Sequence, residues 1–426
     1  MKKQLFAVLL SLACLQTASA IEIQRWQTPA GSTITLAERH QLPIVHIQVS
    51  FKGAGDSANA PQDVAQMSAD LLSLGTKKLG EEALLEQSTQ LGISISSRAD
   101  SENAHITLST LNRPEIFHQS LNLLEQVITS PRFAKHVLQR EIAQNITALK
   151  QQETSPNFLA QRALNQLNYG THPYARASQT SAQTLNAVNT AQLRDFHRRH
   201  YAQNNAYIAI VGDVTREQAN AISQQLLRKL PAKTPAQQVV PAVQVQQGKQ
   251  QQIELKGKSQ TIVQIGVPLL KSNDPDRYAL IVGNYILGGG GFDSRLMQKL
   301  RDEHGLVYGV SSSLSRRSQA APFVIAFATQ KERTQQALAA TRQVLQDFIA
   351  HGPSETELKQ AKDKIIGSHP LNLDTNAKLL PLLASVGLEN LELDYLARYP
   401  EKIQEVSVND IRDAWQRRLK LDELNT

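Results

Sequence analysis

His197 and His200 stand three residues apart, close enough on one helical face to hold a metal ion between two imidazoles. Between them sit Arg198 and Arg199, which would repel a cation, so the pair reads as an exposed helix end. The run Gly288 to Gly291 has the composition of a loop that could cradle phosphate on backbone N–H groups. It lacks the Gly-Lys-Ser/Thr ending of such loops, and Asp293 just beyond it would repel phosphate. A tight turn that lets the backbone approach a strand or peptide is the better reading. Arg198-Arg199 and Arg316-Arg317 are short and lack interleaved aromatics, so they read as solvated faces and no nucleic-acid partner is expected. Cys14 is the only cysteine, so the chain beyond it has neither disulfides nor thiolate metal ligands.

The elements that must position any such chemistry fall into two similar halves. From Pro231 to Gln252 the chain is rich in Gln, Pro and Ala without helical periodicity, which reads as a linker. It separates residues 21–230 from residues 253–426. In the first half, Ile44 to Phe51 and His105 to Leu111 alternate like strands, Val64 to Leu74 has helical spacing, and helices follow over Pro114 to Thr129 and Ala134 to Gln152. In the second, strands are expected over Thr261 to Val267 and Phe323 to Ala328. Helices are expected over Asp276 to Leu287, Lys331 to Ile349 and Glu355 to Ile366. The unit recurs about 217 residues on, which points to duplication.

The start of the chain reads as an export signal. Lys2 and Lys3 precede an apolar run from Leu5 to Leu15, and Ala18-Ser19-Ala20 offers small residues for cleavage after Ala20. The run falls short of the roughly 20 apolar residues a bilayer needs. Lipidation of Cys14 is the competing possibility, disfavoured by Ser11 where such signals carry leucine. A periplasmic location is therefore expected. Losing Lys2 and Lys3 would leave +5 of the formal +7, a mild excess for such a chain. Roughly 400 residues exceed one ordinary core, so at least two domains are expected.

Asp63 to Thr76 reads DVAQMSADLLSLGT, and other short motifs follow in order. They are Gly170-Thr171-His172-Pro173-Tyr174, then Phe196 to Tyr201 leading into Ile208 to Val214, then Leu287 to Gly290. Ser294-Arg295-Leu296, Leu300-Arg301 and Gly305-Leu306-Val307-Tyr308 complete the series. Together they make the chain resemble the insulinase/pitrilysin zinc peptidases over most of its length. The resemblance implies an α+β fold of two homologous modules, each a mainly antiparallel sheet with helices packed on one face.

In that family the helix matching Asp63 to Thr76 carries H-x-x-E-H, two zinc-binding imidazoles one turn apart and a glutamate that takes a proton from the bound water. Here those positions hold Gln66, Ala69 and Asp70. The family's third ligand aligns with Ala148, and Glu141 matches a supporting glutamate or, in a shifted register, the ligand position itself. No metal or cofactor is expected in this chain. The resemblance gives Arg301 and Tyr308 a role: an arginine and a tyrosine seven residues apart hold the substrate and polarise its carbonyl in active members. His172 falls in a turn and is given no chemistry.

Some bacterial family members, and similarly mitochondrial processing peptidase, divide the work between a zinc-bearing and a zinc-less subunit. The resemblance therefore implies a zinc-less subunit that supplies Arg301 and Tyr308 to a zinc-bearing homologue, for hydrolysis of extended peptides. Such peptides would add as a strand to a sheet edge; Gly92 to Ala104 corresponds to that edge in the family but departs from its pattern at Ser96-Ser97, which leaves the role of this stretch open. The alternative is an inactive peptide-binding or chaperone-like homodimer.

Overall fold

The computed structural model describes residues 21–234 and 239–426; the stretch expected to be an export signal, with Cys14, and part of the expected linker lie outside them. Six strands build the first sheet: β1 (Gln24–Gln27), β2 (Thr33–Glu38), β3 (Ile44–Lys52), β4 (Ser94–Ala99), β5 (Asn103–Leu111) and β6 (Ala206–Gly212). Their order is β1-β2-β6-β3-β5-β4, antiparallel throughout except for the parallel pair β2–β6. The second sheet is antiparallel, with β7 (Gln260–Leu270), β8 (Val307–Leu314) and β9 (Ala321–Gln330) in the order β7-β9-β8. The end of the chain extends it, because Asn425 exchanges both backbone hydrogen bonds with Gly266 at 2.9 Å.

The first half contributes α1 (Val64–Leu72), α2 (Glu81–Gln90), α3 (Pro114–Thr129), α4 (Lys135–Gln152), α5 (Pro156–Tyr169), α6 (Ala182–Ala187), α7 (Thr190–His200) and α8 (Arg216–Leu227). The second contributes α9 (Arg277–Asn284), the single turn α10 (Arg295–Met297), α11 (Thr334–His351), α12 (Glu355–Ser368), α13 (Asn376–Leu388), α14 (Tyr395–Glu405) and α15 (Val408–Arg418). Among the described residues, no helix is long and apolar enough to cross a membrane.

Strand alternation decides which face each sheet buries. Val45, Ile47, Val49 and Phe51 of β3 point toward the helices and join Leu71, Leu124 and Phe196 in one core with no exposure above a few per cent. Val263, Ile265 and Val267 of β7 do the same in the second half, with Leu280, Phe348 and Trp415. β3, β5, α3, α4 and α5 are thus repeated in order by β7, β9, α11, α12 and α13.

Helices of each half lie on one face of its own sheet, except α5 and α13, which each cover the back face of the other half's sheet. α13 crosses β2, β6 and β3, with Leu379, Leu380, Leu383 and Val386 packed on Ala37, Ala209 and Val211. Conversely α5 lies along β7 on the Gly266 side, so close that a Cβ at Gly266 would stand 3.2 Å from Leu164 Cδ2. The halves also meet at Glu102, whose carboxylate accepts from the Tyr174 hydroxyl at 2.6 Å and from the hydroxyl and backbone N–H of Ser318.

Candidate functional site

α1 is an apolar helix with seven of its nine residues buried against the first sheet, and Ala69 is among them. Gln66 and Asp70 lie one turn apart on its less buried face, where the Gln66 amide donates to Asp70 Oδ1 at 2.8 Å. Burial pushes the Asp70 carboxyl up to about 6; the Gln66 bond opposes that shift and the Glu141 carboxylate adds to it. Glu141 itself is held by Arg140 at 2.7 Å, and the same guanidinium grips both oxygens of Glu81 on α2. Ala148, two turns further along α4, is exposed.

A zinc site needs three or four imidazole, thiolate or carboxylate donors converging on one point. This helix offers an amide tied to a partly protonated carboxyl, a methyl group, and a neighbouring carboxylate neutralised by arginine. These residues do not fit the metal. Among the described residues, no cluster of three or more His, Cys, Asp or Glu could hold a metal ion.

His172, His197 and His200 are committed to structure. The expectation of an exposed helix end at His197 and His200 needs correction, because both rings are half-buried by aromatic neighbours. His197 stacks on Tyr201 at 4.7 Å and donates from Nε2 to the Ile128 carbonyl at 2.8 Å; burial holds its pKa down near 4, so the ring is neutral. His200 stacks on Phe196 at 4.3 Å and gives Nδ1 to the Gly53 carbonyl. His172 caps its turn by accepting the Tyr174 N–H, as its position before Pro173 suggests.

Arg301 and Tyr308 sit on consecutive elements of the second half. Arg301 lies in a π-helical stretch, Gln298–Glu303, and its guanidinium carbon is 4.9 Å from the centre of the Phe292 ring. The chain then turns through Gly305, at φ 59, and enters β8. The β8–β9 register breaks between Val307 and Val310, and Tyr308 falls in this irregularity, 91% exposed. A bulge of this kind re-aims a side chain away from the sheet. Phe292 is also 66% exposed, so a guanidinium and a phenyl ring are paired at the surface there.

The glycine run explains why the surface is shaped this way. Tyr285–Gly289 is a second π-helical turn, closed by the Gly290 N–H to the Tyr285 carbonyl at 2.7 Å. A Cβ at Gly288 would meet Ser312 Oγ at 2.6 Å and its backbone nitrogen at 2.7 Å, so the turn presses directly on β8. That is the close strand approach read from the sequence. The two π turns are not visible there, although such turns recur at functional sites.

Residues 40–180 match the family model described as insulinase (peptidase family M16), and residues 187–365 match the one described as peptidase M16 inactive domain. A solved peptidase M16 inactive domain from Pseudomonas fluorescens is 31% identical and superposes with a TM-score of 0.90, covering 95% of this chain and 97% of that one. The non-peptidase homolog YmxG of Helicobacter pylori is 27% identical over 100% of this chain and 97% of its own length. A solved Helicobacter pylori protease shares the fold at a TM-score of 0.84 with 16% identity, covering 95% and 98%. With both halves matched, the repeated fold in place and no metal ligand set on α1, the chain belongs to the insulinase (M16) peptidase family as a homologue of the non-catalytic, metal-site-lacking kind.

Proposed function

We propose that this chain is the zinc-less subunit of an exported two-subunit metallopeptidase. The observation that carries the reading is the placement of Tyr308, turned out of a strand irregularity into solvent with 91% of its surface exposed, seven residues after Arg301. A phenol presented in this way is suited to a group that arrives from outside the chain. Arg301 and Tyr308 would hold the scissile peptide and donate hydrogen bonds to the oxyanion as it forms. Water activation belongs to the partner's zinc, because Gln66, Ala69, Asp70 and Ala148 supply neither ligands nor base. A periplasmic location, following cleavage after Ala20, is part of the same proposal, and fractionation of the native host tests it.

Co-expression with a homologue from the same genome that carries intact H-x-x-E-H tests the pairing. The expected result is a stable complex that cleaves unstructured peptides when neither subunit does so alone. A chain that pairs only with itself and binds peptides without cleaving them overturns the reading in favour of the chaperone-like homodimer.

A further inference from the structure

The back face of the first sheet, where α13 leaves it uncovered, opens into a cleft of about 1450 Å³ between the two halves. Strand register places the cleft's floor. Arg98 faces His105, His105 faces Ser50, Ser50 faces Tyr207 and Tyr207 faces Thr33, so all five lie on the side away from the core. The opposite wall comes from the loops after β7 and β8.

Six cations line this cleft: Arg25, Lys52, Arg98, Lys271, Arg316 and Arg317. Among the described residues, none has a carboxylate oxygen within the 4.0 Å of an ion pair, although such pairs are common elsewhere on the chain. Three carboxylates share the lining, and two are already engaged. Asp100 takes His105 Nε2 at 2.9 Å and two backbone N–H groups at 2.7 Å, while Glu102 is spent on Tyr174 and Ser318. Glu389 acts on Arg316 only from beyond ion-pair distance. Some of the cations have other duties: Arg25 donates to the Val386 and Leu391 carbonyls, and Arg317 lies over the rings of Tyr169 and Tyr174. Lys52, Arg98 and Lys271 make no hydrogen bond to a side chain or carbonyl among the described residues, and Lys52 only overhangs the Tyr207 ring at 5.9 Å.

A concave surface lined by one uncompensated sign of charge concentrates ligands of the other. We propose that this cleft binds an acidic peptide segment, with its Asp and Glu side chains meeting Lys52, Arg98 and Lys271. Two observations favour a peptide over a single small anion. The cleft exceeds the roughly 300–1,000 Å³ of small-molecule sites. Its cations also come from five separate stretches of chain, so they suit charges spaced along a polymer, with the Tyr207 ring as an apolar contact on the floor among them. Arg301 and Tyr308 do not line the cleft, and the proposal stands without a zinc-bearing partner.

Fluorescence anisotropy on the full chain with labelled octaglutamate tests it. Octaglutamate is expected to bind at least tenfold tighter than a Gly-Ser octapeptide and to weaken with added salt. Arg98→Glu and Lys271→Glu, both at exposed positions, should each weaken it at least fivefold with an unchanged melting temperature. Lys359→Glu, on the exposed face of α12, should leave it unaltered. Equal binding of the two peptides, wild-type affinity in both cleft variants, or an equal loss in Lys359→Glu would each overturn the proposal. So would displacement by inorganic phosphate alone at matched charge concentration, which would mark the cleft as a small-anion site.

Discussion

The Gln66 amide donates to the Asp70 carboxylate across one turn of α1, so the two positions that would carry imidazoles in a metal-binding helix are bonded to each other. The purified chain is expected to hold no stoichiometric zinc, and elemental analysis showing about one tightly bound zinc per chain at this helix would overturn that reading. Gln66→His, Ala69→Glu, Asp70→His and Ala148→Glu together should restore some metal affinity. Full peptidase activity is not expected to return, since ligands also need outer partners to orient them, and Glu141 is here tied to Arg140.

Asp70 also gives a pH signature. Its carboxyl is raised from 3.8 to about 6, mainly by burial, so the folded state holds this proton more tightly than the unfolded state does. The stability from that proton is fully present below pH 3.8 and is lost as pH rises through about 6. Asp70→Asn should therefore exceed wild type in stability by about 1–2 kcal/mol at pH 8 and lose that advantage near pH 4. Urea unfolding at the two pH values measures this, and no gain at pH 8 would contradict it.

Tyr308→Phe removes one hydroxyl from a side chain that is 91% exposed, so neither melting temperature nor assembly should change. In a reconstituted complex it should lower kcat by roughly 10²-fold with KM little moved, the usual scale for losing an oxyanion donor. Arg301→Ala should raise KM as well, because a guanidinium can hold the peptide carbonyl before reaction. Wild-type kcat after both changes would show the pair to be structural.

Gly288→Ala would drive a methyl group to 2.6 Å from Ser312 Oγ and 2.7 Å from its backbone nitrogen, and backbone cannot step aside as a flexible side chain does. A loss of about 1–3 kcal/mol is expected from overpacking. Chemical denaturation reads it directly, and a wild-type midpoint would mean that the π turn can slide along β8.

Elements with one fully buried face were legible in the sequence: β3, β5, β7 and β9 alternate cleanly, and α3 matches its expected bounds. β4 was placed only by the resemblance, within Gly92 to Ala104, and not by periodicity, because an edge strand of Ser94-Ile95-Ser96-Ser97-Arg98 is at best half-buried and carries little apolar alternation. The expected helix from Asp276 ends early, at Asn284, where the backbone widens into a π turn that no periodicity encodes. His197 and His200 were misjudged because charge on neighbouring residues says nothing of rings that arrive from Tyr201 and Phe196. The Arg301–Tyr308 spacing was visible, but not the register break that exposes Tyr308. Of the cleft's six cations only Arg316 and Arg317 are adjacent in sequence, and the aromatic rings under Arg317 come from Tyr169 and Tyr174 in the other half, so the gathering of all six was not legible.

The exchange of α5 and α13 between the halves sets the order in which this protein can mature. On the ribosome, the first sheet has all its strands once Gly212 has emerged, yet the helix that covers its back begins only at Asn376. Until then Ala37, Ala209 and Val211 have no apolar cover from α13. Contacts so distant in sequence close slowly, leaving the nascent first half open to holding factors and proteases. A chain halted before α13 would thus carry every strand of that sheet and still lack its native stability.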